Sequence, residues 1–243
     1  MPESLIRAHS QRYSRGKTPE FSHDHHQLIA VSKGALVVDC REARWIVPAR
    51  HAAWIPAKTR CSLAPSGQTH ASVLYLKPEV VRNSRTACEV LNVAPLLQAI
   101  VDHLVRLESL PADRAGRRLA SVLADQIASA AHVELGLPSP QHPRAIRVAE
   151  LLMADPSDTP SLVALGKGLS VSARTLARQF IGDTGVTLGQ WRRQFRLTHA
   201  LTLVATGKPV KEVALEVGYE SPSAFVAAFK RALGTTPAKL FRT

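Results

Sequence analysis

The sequence predicts a two-part α+β chain. An N-terminal antiparallel β-barrel carries a pair of helices, and an all-α C-terminal domain follows with two helix-turn-helix units. Three observations predict this. Short β-branched and aromatic runs recur roughly every ten residues from Phe21 to about Pro78. From Pro95 the apolar period becomes helical. Between the halves lies "GLPSPQHPR", Gly136 to Arg144, with three prolines and no apolar period. A chain of 243 residues with 45% hydrophobic side chains suffices for two cores.

The expected strands are "QLIAV", "ALVVDC", "RWIVP", "AAWIP" and "ASVLYLK". Turn signals "SKG", "REA", "PAR", "PAKT" and "PSGQ" separate them, and the barrel is assigned to 1–94. Residues 95–135 hold two helices. Pro95 opens the first, and Leu97, Ile100, Val101, Leu104 and Leu107 share its apolar face. The second runs from about Arg114 to Glu134, with Leu119, Val122, Leu123, Gln126, Ile127 and Ala130 on one face. The pair either covers the barrel or forms a dimer seam. Residues 136–143 read as an interdomain linker. From 144 to 243 the helices expected are Arg144–Ala154, Ser161–Gly168, Ser172–Ile181, Leu188–Ala205, Val210–Val217 and Pro222–Leu233.

Charge points to an anionic partner. Lys and Arg number 31 against 19 Asp and Glu, a formal net charge of +12. From residue 140 onward 14 basic residues face 7 acidic ones, so the second half is the more densely basic. Cys40, Cys61 and Cys88 form no CxxC, and their odd number suggests no disulfide framework and a reducing compartment. The opening residues lack an apolar core of the signal-peptide type, and no run approaches 18 apolar residues. A soluble, cytoplasmic chain without a membrane partner is expected.

Within Val213–Leu233 a helix stops at "EVGY". Gly218 suits a left-handed turn, Ser221 an N-cap and Pro222 a first helical turn. Phe225, Phe229 and Leu233 recur at i, i+4 and i+8, and Ser223, Ala224, Ala227, Lys230 and Arg231 fall opposite. This is a helix-turn-helix whose second helix projects outward, as major-groove reading requires. About 49 residues earlier "SLVALGKGLSVSARTLARQF" repeats the arrangement, with Leu176 and Phe180 inward. The candidate DNA contacts are Ser172, Arg174, Thr175, Arg178 and Gln179 in the first unit. In the second they are Ser221, Ser223, Ala224, Ala227, Lys230 and Arg231. Arg174 and Arg178 have the fork geometry that reads guanine O6 and N7, while Ala224 and Ala227 offer only methyl contacts. Lys230 and Arg231 suit phosphates, which position without specifying. Base discrimination is expected mainly from the first unit.

The stretches "SARTLARQF", "GDTGVTLGQW", "RLTHAL", "VKEVALEVGYESPSAF", "FKRALGTTP" and "AKLFR" resemble the DNA-binding domain of the AraC/XylS family of bacterial transcription regulators. The resemblance covers about 141–243 and implies two units in successive major grooves on one face of DNA. The first unit departs from the pattern. Ser170 stands where a turn glycine is common, and Gly166 and Gly168 each weaken the preceding helix by roughly 1 kcal/mol. A less rigid first unit is expected.

"FSHDHHQLIAVSKG" and "WIPAKTRC" resemble the two motifs of a cupin barrel, the sensor type found ahead of many AraC-type DNA-binding domains. On that alignment the metal-ligand positions fall at Phe21, His23, Gln27 and Cys61, a set unsuited to the standard metal. His23, His25, His26 and Cys61 are chemically able ligands for a shifted site, with His23 and His25 on one strand face. The expectation is instead a small-molecule pocket among His23, His25, His26, Gln27, Trp45, Trp54 and Cys61, with no metal, no cofactor and no catalytic residue. His51 and His70 are expected at the surface or an edge. Expected partners are double-stranded DNA and an unidentified small-molecule effector, with RNA polymerase and a second copy of the chain as open ones. The leading reading is a ligand-controlled, sequence-specific transcription regulator. A metal-dependent cupin enzyme carrying a DNA-binding domain, and an architectural DNA binder without a sensor, are the competing readings.

Overall fold

The computed structural model describes residues 4–14, 16–81 and 85–241. In chain order its elements are β1 (Ser4–Tyr13), β2 (His26–Cys40), β3 (Ala43–Pro48), β4 (His51–Ile55), β5 (Cys61–Leu76), β6 (Glu89–Asn92), α1 (Pro95–Leu107), β7 (Ser109–Pro111), α2 (Arg114–Ser129), β8 (His132–Val133) and β9 (Gly136–Pro138). Then come α3 (Pro143–Ala154), α4 (Leu162–Gly168), α5 (Ala173–Thr184), α6 (Leu188–Ala205), α7 (Val210–Glu216), α8 (Pro222–Leu233) and α9 (Pro237–Phe241).

All strand pairings are antiparallel, in the order β7-β1-β5-β2-β4-β6-β8, with β3 joined to β2 and β9. Two turn signals in the sequence prove to be bulges. "SKG" lies inside the single strand β2 and "PSGQ" inside β5. The register slips twice between Val31 and Ala35, opposite the Gly67–Thr69 segment. Gly34 and Gly67 take positive φ there. A Cβ on Gly34 would lie 2.5 Å from the Gln68 carbonyl oxygen, so only glycine fits. Pairing resumes on both sides because the side chains flanking the bulge still bury. The sheet therefore bends where the sequence suggests it should end.

Alternation along the bent strands buries both faces. Leu28, Ala30, Ala52, Trp54, Leu74 and Leu76 pack against Leu97, Val101, Leu104, Leu123 and Ile127 of α1 and α2. Ile29, Val31, Ala53, Ile55 and Val73 point the other way, into an interior shared with Leu36, Val38, Ile46 and Leu63. The helical pair thus covers the sheet. Its buried faces are narrower than expected: Leu107 and Val122 are exposed, and α2 ends at Ser129 rather than near Glu134. The Arg85 guanidinium donates to the carbonyls of Ile127, Ala128 and Ala130, closing the helix, and His132–Val133 then pairs with β6. The expected linker is also partly strand. Gly136–Pro138 pairs with Ala43–Trp45, and Gly136 leaves room for the Trp45 ring, whose Nε1 a Cβ would meet at 2.7 Å. β1 was not expected from the sequence. His51, expected at the surface or an edge, is buried with its Nδ1 3.0 Å from the Ala49 carbonyl.

In the C-terminal half the helices begin and end within about three residues of expectation. Ser172 and Ser221 accept from the backbone of Thr175 and Ala224, as N-caps should. Leu176, Phe180, Phe225, Phe229 and Leu233 are buried. Ser170 and Gly218 both take positive φ, at 55° and 79°. The hydrogen bonds match too: Val171 N donates to the Gly166 carbonyl and Tyr219 N to that of Ala214, each at 2.9 Å. The first turn thus has the shape of the second despite its serine, at the cost of holding a non-glycine residue in the left-handed region. The second turn is one residue longer before its cap.

Gly166 proves to be a packing residue: a Cβ there would stand 2.7 Å from the Val171 carbonyl oxygen. Around Gly168 there is open space. Arg196 on α6 joins the two units. Its Nε donates to the Pro156 carbonyl at 2.8 Å, Nη2 to that of Ser157 at 3.2 Å, and Nη1 to that of Gly218 at 3.1 Å.

These contacts generate two expectations, both read by urea denaturation of the full chain. Gly168→Ala stabilises by about 0.5–1 kcal/mol, whereas Gly166→Ala destabilises by about 1–3 kcal/mol. Arg196→Met costs about 2 kcal/mol, because the carbonyls of Pro156, Ser157 and Gly218 lose a charged donor.

Candidate nucleic-acid interface

The helices α5 and α8 each present one buried and one free face. On α5, Arg174 and Arg178 are exposed, while Thr175 and Gln179 are half-buried. The Thr175 hydroxyl sits 2.9 Å from Ser172 Oγ, so both are already engaged in the cap. The Gln179 side-chain oxygen is enclosed without a partner among the described residues. On α8, Ser223, Ala224, Ala227 and Lys230 are exposed, and Ser221 is half-buried at the cap. Arg231 is also exposed, but it lines a cleft toward the N-terminal half. Arg242 of the "AKLFR" motif lies outside the described residues.

The scaffold that presents these faces is α6. Thr187 and Gln190 form a reciprocal capping box at its start. Trp191, Phe195 and Leu201 are buried, and Trp191 meets Phe180 of α5 edge-on, ring centroids 6.0 Å apart. Arg192 Nη2 donates to the Pro160 carbonyl at 2.9 Å, fixing the loop that leads into α4.

α6 also carries the contact with the sensor half. Trp191 Nε1 donates to the Pro138 carbonyl of β9 at 2.9 Å. Asp183 Oδ2 accepts from the backbone N–H groups of Gln141 and His142, tying the segment after β9 to α5. Between the halves lies a cleft of about 600 Å³. Trp45, His132 and Glu134 line one wall, and Gln190, Arg193 and Arg231 the other.

The seven residues assigned to an effector pocket do not come together. His23 and His25 are exposed in a cleft with Arg7, His9, Asp24 and Tyr75. They stand in an irregular segment, not on a strand, because β2 begins only at His26. His23 meets Tyr75 edge-on at 5.4 Å. His26 stacks on Trp54 at 5.0 Å, accepts from Ala57 N, and has its pKa lowered by burial and then by His25. Trp54 is fully buried and donates to the Arg85 carbonyl. Gln27 is buried between β4 and β5. Trp45 alone reaches the interdomain cleft. Cys61 pairs with Cys40, against the expectation of no disulfide. Register brings them opposite each other across β2 and β5, although 21 residues separate them. Burial, followed by Glu42 and Glu89, pushes the remaining Cys88 thiol up to about 12.

Two family models and several known proteins match the chain. Residues 4–154 match the model of the AraC-like ligand binding domain, and residues 165–243 match a helix-turn-helix domain. The chain is 31% identical over 223 residues to the HTH-type transcriptional regulator NimR of Escherichia coli K12, covering 91% of this chain and 81% of that protein. It is 40% identical over 101 residues to the HTH-type transcriptional regulator RipA of Corynebacterium glutamicum, 42% of this chain and 30% of that one. A solved structure of ToxT from Vibrio cholerae aligns over 98% of both chains at 12% identity and a TM-score of 0.41. The chain belongs to the AraC/XylS family of helix-turn-helix transcription regulators, with an AraC-like ligand-binding domain ahead of its DNA-binding half.

Proposed function

We propose that this regulator sets α5 and α8 into successive major grooves, that α5 supplies most of the base discrimination, and that an effector held between the two halves controls their orientation. The observation that carries the DNA reading is the pair of capped helices on one shared helix, each with a free outward face. Arg174 and Arg178 give α5 two side chains able to make bidentate bonds to guanine. The exposed short side chains of α8 favour close approach and methyl contact. Lys230 is assigned to phosphate. We assign Arg231 to the interdomain cleft rather than to DNA, since it lies on that wall.

For the effector, the interior of the sensor is filled by side chains such as Ile29, Leu36, Val38 and Val73. The cleft between the halves offers an aromatic wall at Trp45 and polar groups from both sides, which favours it over the barrel interior. Binding there acts only in so far as it distinguishes two relative orientations. Leu96, Leu107 and Val122 are exposed on α1 and α2, which favours a second copy of the chain docking on that face. Among the described residues no helix is long and apolar enough to cross a membrane. A regulator of this type works in the cytoplasm, where the chromosome is. The relatives are transcription regulators, and they lend the cupin-enzyme reading no support.

Selection of fragmented genomic DNA on the purified chain tests the first part. The expected motif has two blocks about 10–10.5 bp apart. Enrichment with no motif overturns the specific reading. Against such a site, Arg178→Ala weakens binding by about 1–3 kcal/mol and relaxes preference at one position. Lys230→Ala weakens all sequences alike and lowers the salt slope by about 1. Equal losses at all sites for Arg178→Ala contradict the assignment. A compound that raises the thermal midpoint of the full chain should lose that effect in Arg231→Ala. An undiminished shift places the effector elsewhere.

A further inference from the structure

We propose that Cys40, Cys61 and Cys88 form, in the reduced chain, a three-sulfur site for a soft, thiophilic metal cation such as Zn²⁺ or Cd²⁺. The sulfurs come from three separate places: the end of β2, the start of β5 and the residue before β6. All three lie within 4.8 Å of one another. Among the described residues no other cluster of His, Cys, Asp or Glu brings ligand atoms together in this way. Cys40 and Cys61 are buried at 8% and 1% exposure, and Cys88 is half-buried.

The spacing suits metal coordination. Zn–S bonds are about 2.3 Å, which puts two sulfurs of a tetrahedral shell about 3.8 Å apart. Cys88 Sγ stands 3.7 Å from Cys40 Sγ. A purely structural disulfide needs only the cross-strand pair, and nothing in that role requires a third sulfur in van der Waals contact with it. Thiolate ligands select soft cations over Mg²⁺ or Ca²⁺. Glu42 and Glu89 add negative charge beside Cys88, although Glu89 also pairs with Arg85 and His132. Three protein ligands leave a fourth position for water or an exogenous ligand.

The disulfide and the metal exclude each other. A phosphine reductant and water supply two electrons and two protons to the Cys40–Cys61 bond, giving two thiols and a phosphine oxide. A divalent cation then displaces up to three S–H protons, one from each cysteine. The site adjoins the point where the sensor holds the interdomain segment. Cys40 is followed by Arg41 and Glu42, whose carbonyls accept from Gln141 Nε2 and Ser139 N.

The test uses the full chain, reduced with a phosphine and desalted without air. Cd²⁺ is added while the sulfur-to-cadmium absorption in the near ultraviolet is followed, and Zn²⁺ is titrated against a chromophoric chelator. One cation per chain is expected, and the chain left oxidised should give no such band. Cys88→Ser leaves the cross-strand pair in place. It should lose about a third of the absorption and bind more than about a hundredfold more weakly, since even loss of an outer-shell partner costs 10–100-fold. Cys88→Ala should behave in the same way, with both variants checked for native circular dichroism. No uptake by the reduced chain overturns the proposal, as does a folded Cys88 variant that binds as tightly as the parent.

Discussion

The DNA-binding half depends on one guanidinium. Arg196 extends from the shared helix α6 and binds the loop that leads into the first unit and the turn inside the second. Gly218 makes this contact fit. A Cβ there would lie 2.7 Å from Arg196 Nη2 and 2.8 Å from Ser157 Cα. The same glycine takes the left-handed turn, so its identity is fixed twice, once by backbone conformation and once by close approach. Because the arginine is held by carbonyls rather than by a carboxylate, its contribution is geometric and depends little on salt.

The sensor half solves a different problem. Its central strands are apolar on both faces, since one face meets α1 and α2 and the other meets the interior. Clefts open at its margins, beside Tyr75 on one side and between Trp45 and α6 on the other. The interior apolar cluster continues without a break into Ala200, Leu201 and Phe229, so sensor and reader share buried surface.

Much of the helical half was legible because its signals are local. The i, i+4 recurrence of Phe225 and Phe229, the caps at Ser172 and Ser221 and the turn at Gly218 are each decided within a few residues. The sensor was legible only in class. Its bulged strands look like pairs of shorter ones because Gly34 and Gly67 give a turn's local signal, and only cross-strand pairing reveals continuity. β1 is polar over its second half, and β6 to β9 are too short to show a period. The candidate pocket residues scattered because motif spacing says which strand a residue occupies but not which side the fold encloses. The sulfur cluster was invisible for the same reason. Its members are 21 and 48 residues from Cys40, and register rather than spacing unites them. Gly166 looks like a weakness in the sequence because a helix seen alone does not show the carbonyl pressed against it.

The segment joining the halves is built into the fold. Pro138 belongs to β9 and receives the Trp191 indole, and Asp183 gathers the next two backbone N–H groups. Within the reader, α5 and α8 are in turn held by α6 and bridged through Arg196, so they do not meet their two grooves independently, as beads on a string would. On the proposed reading they act as a caliper with a fixed gap, and the sensor sets the angle at which the caliper is offered. Such a device tolerates changes in the letters it reads far better than changes in the distance between them. A single inserted base pair turns the second block about a tenth of a turn around the DNA axis, away from a helix that has no slack with which to follow.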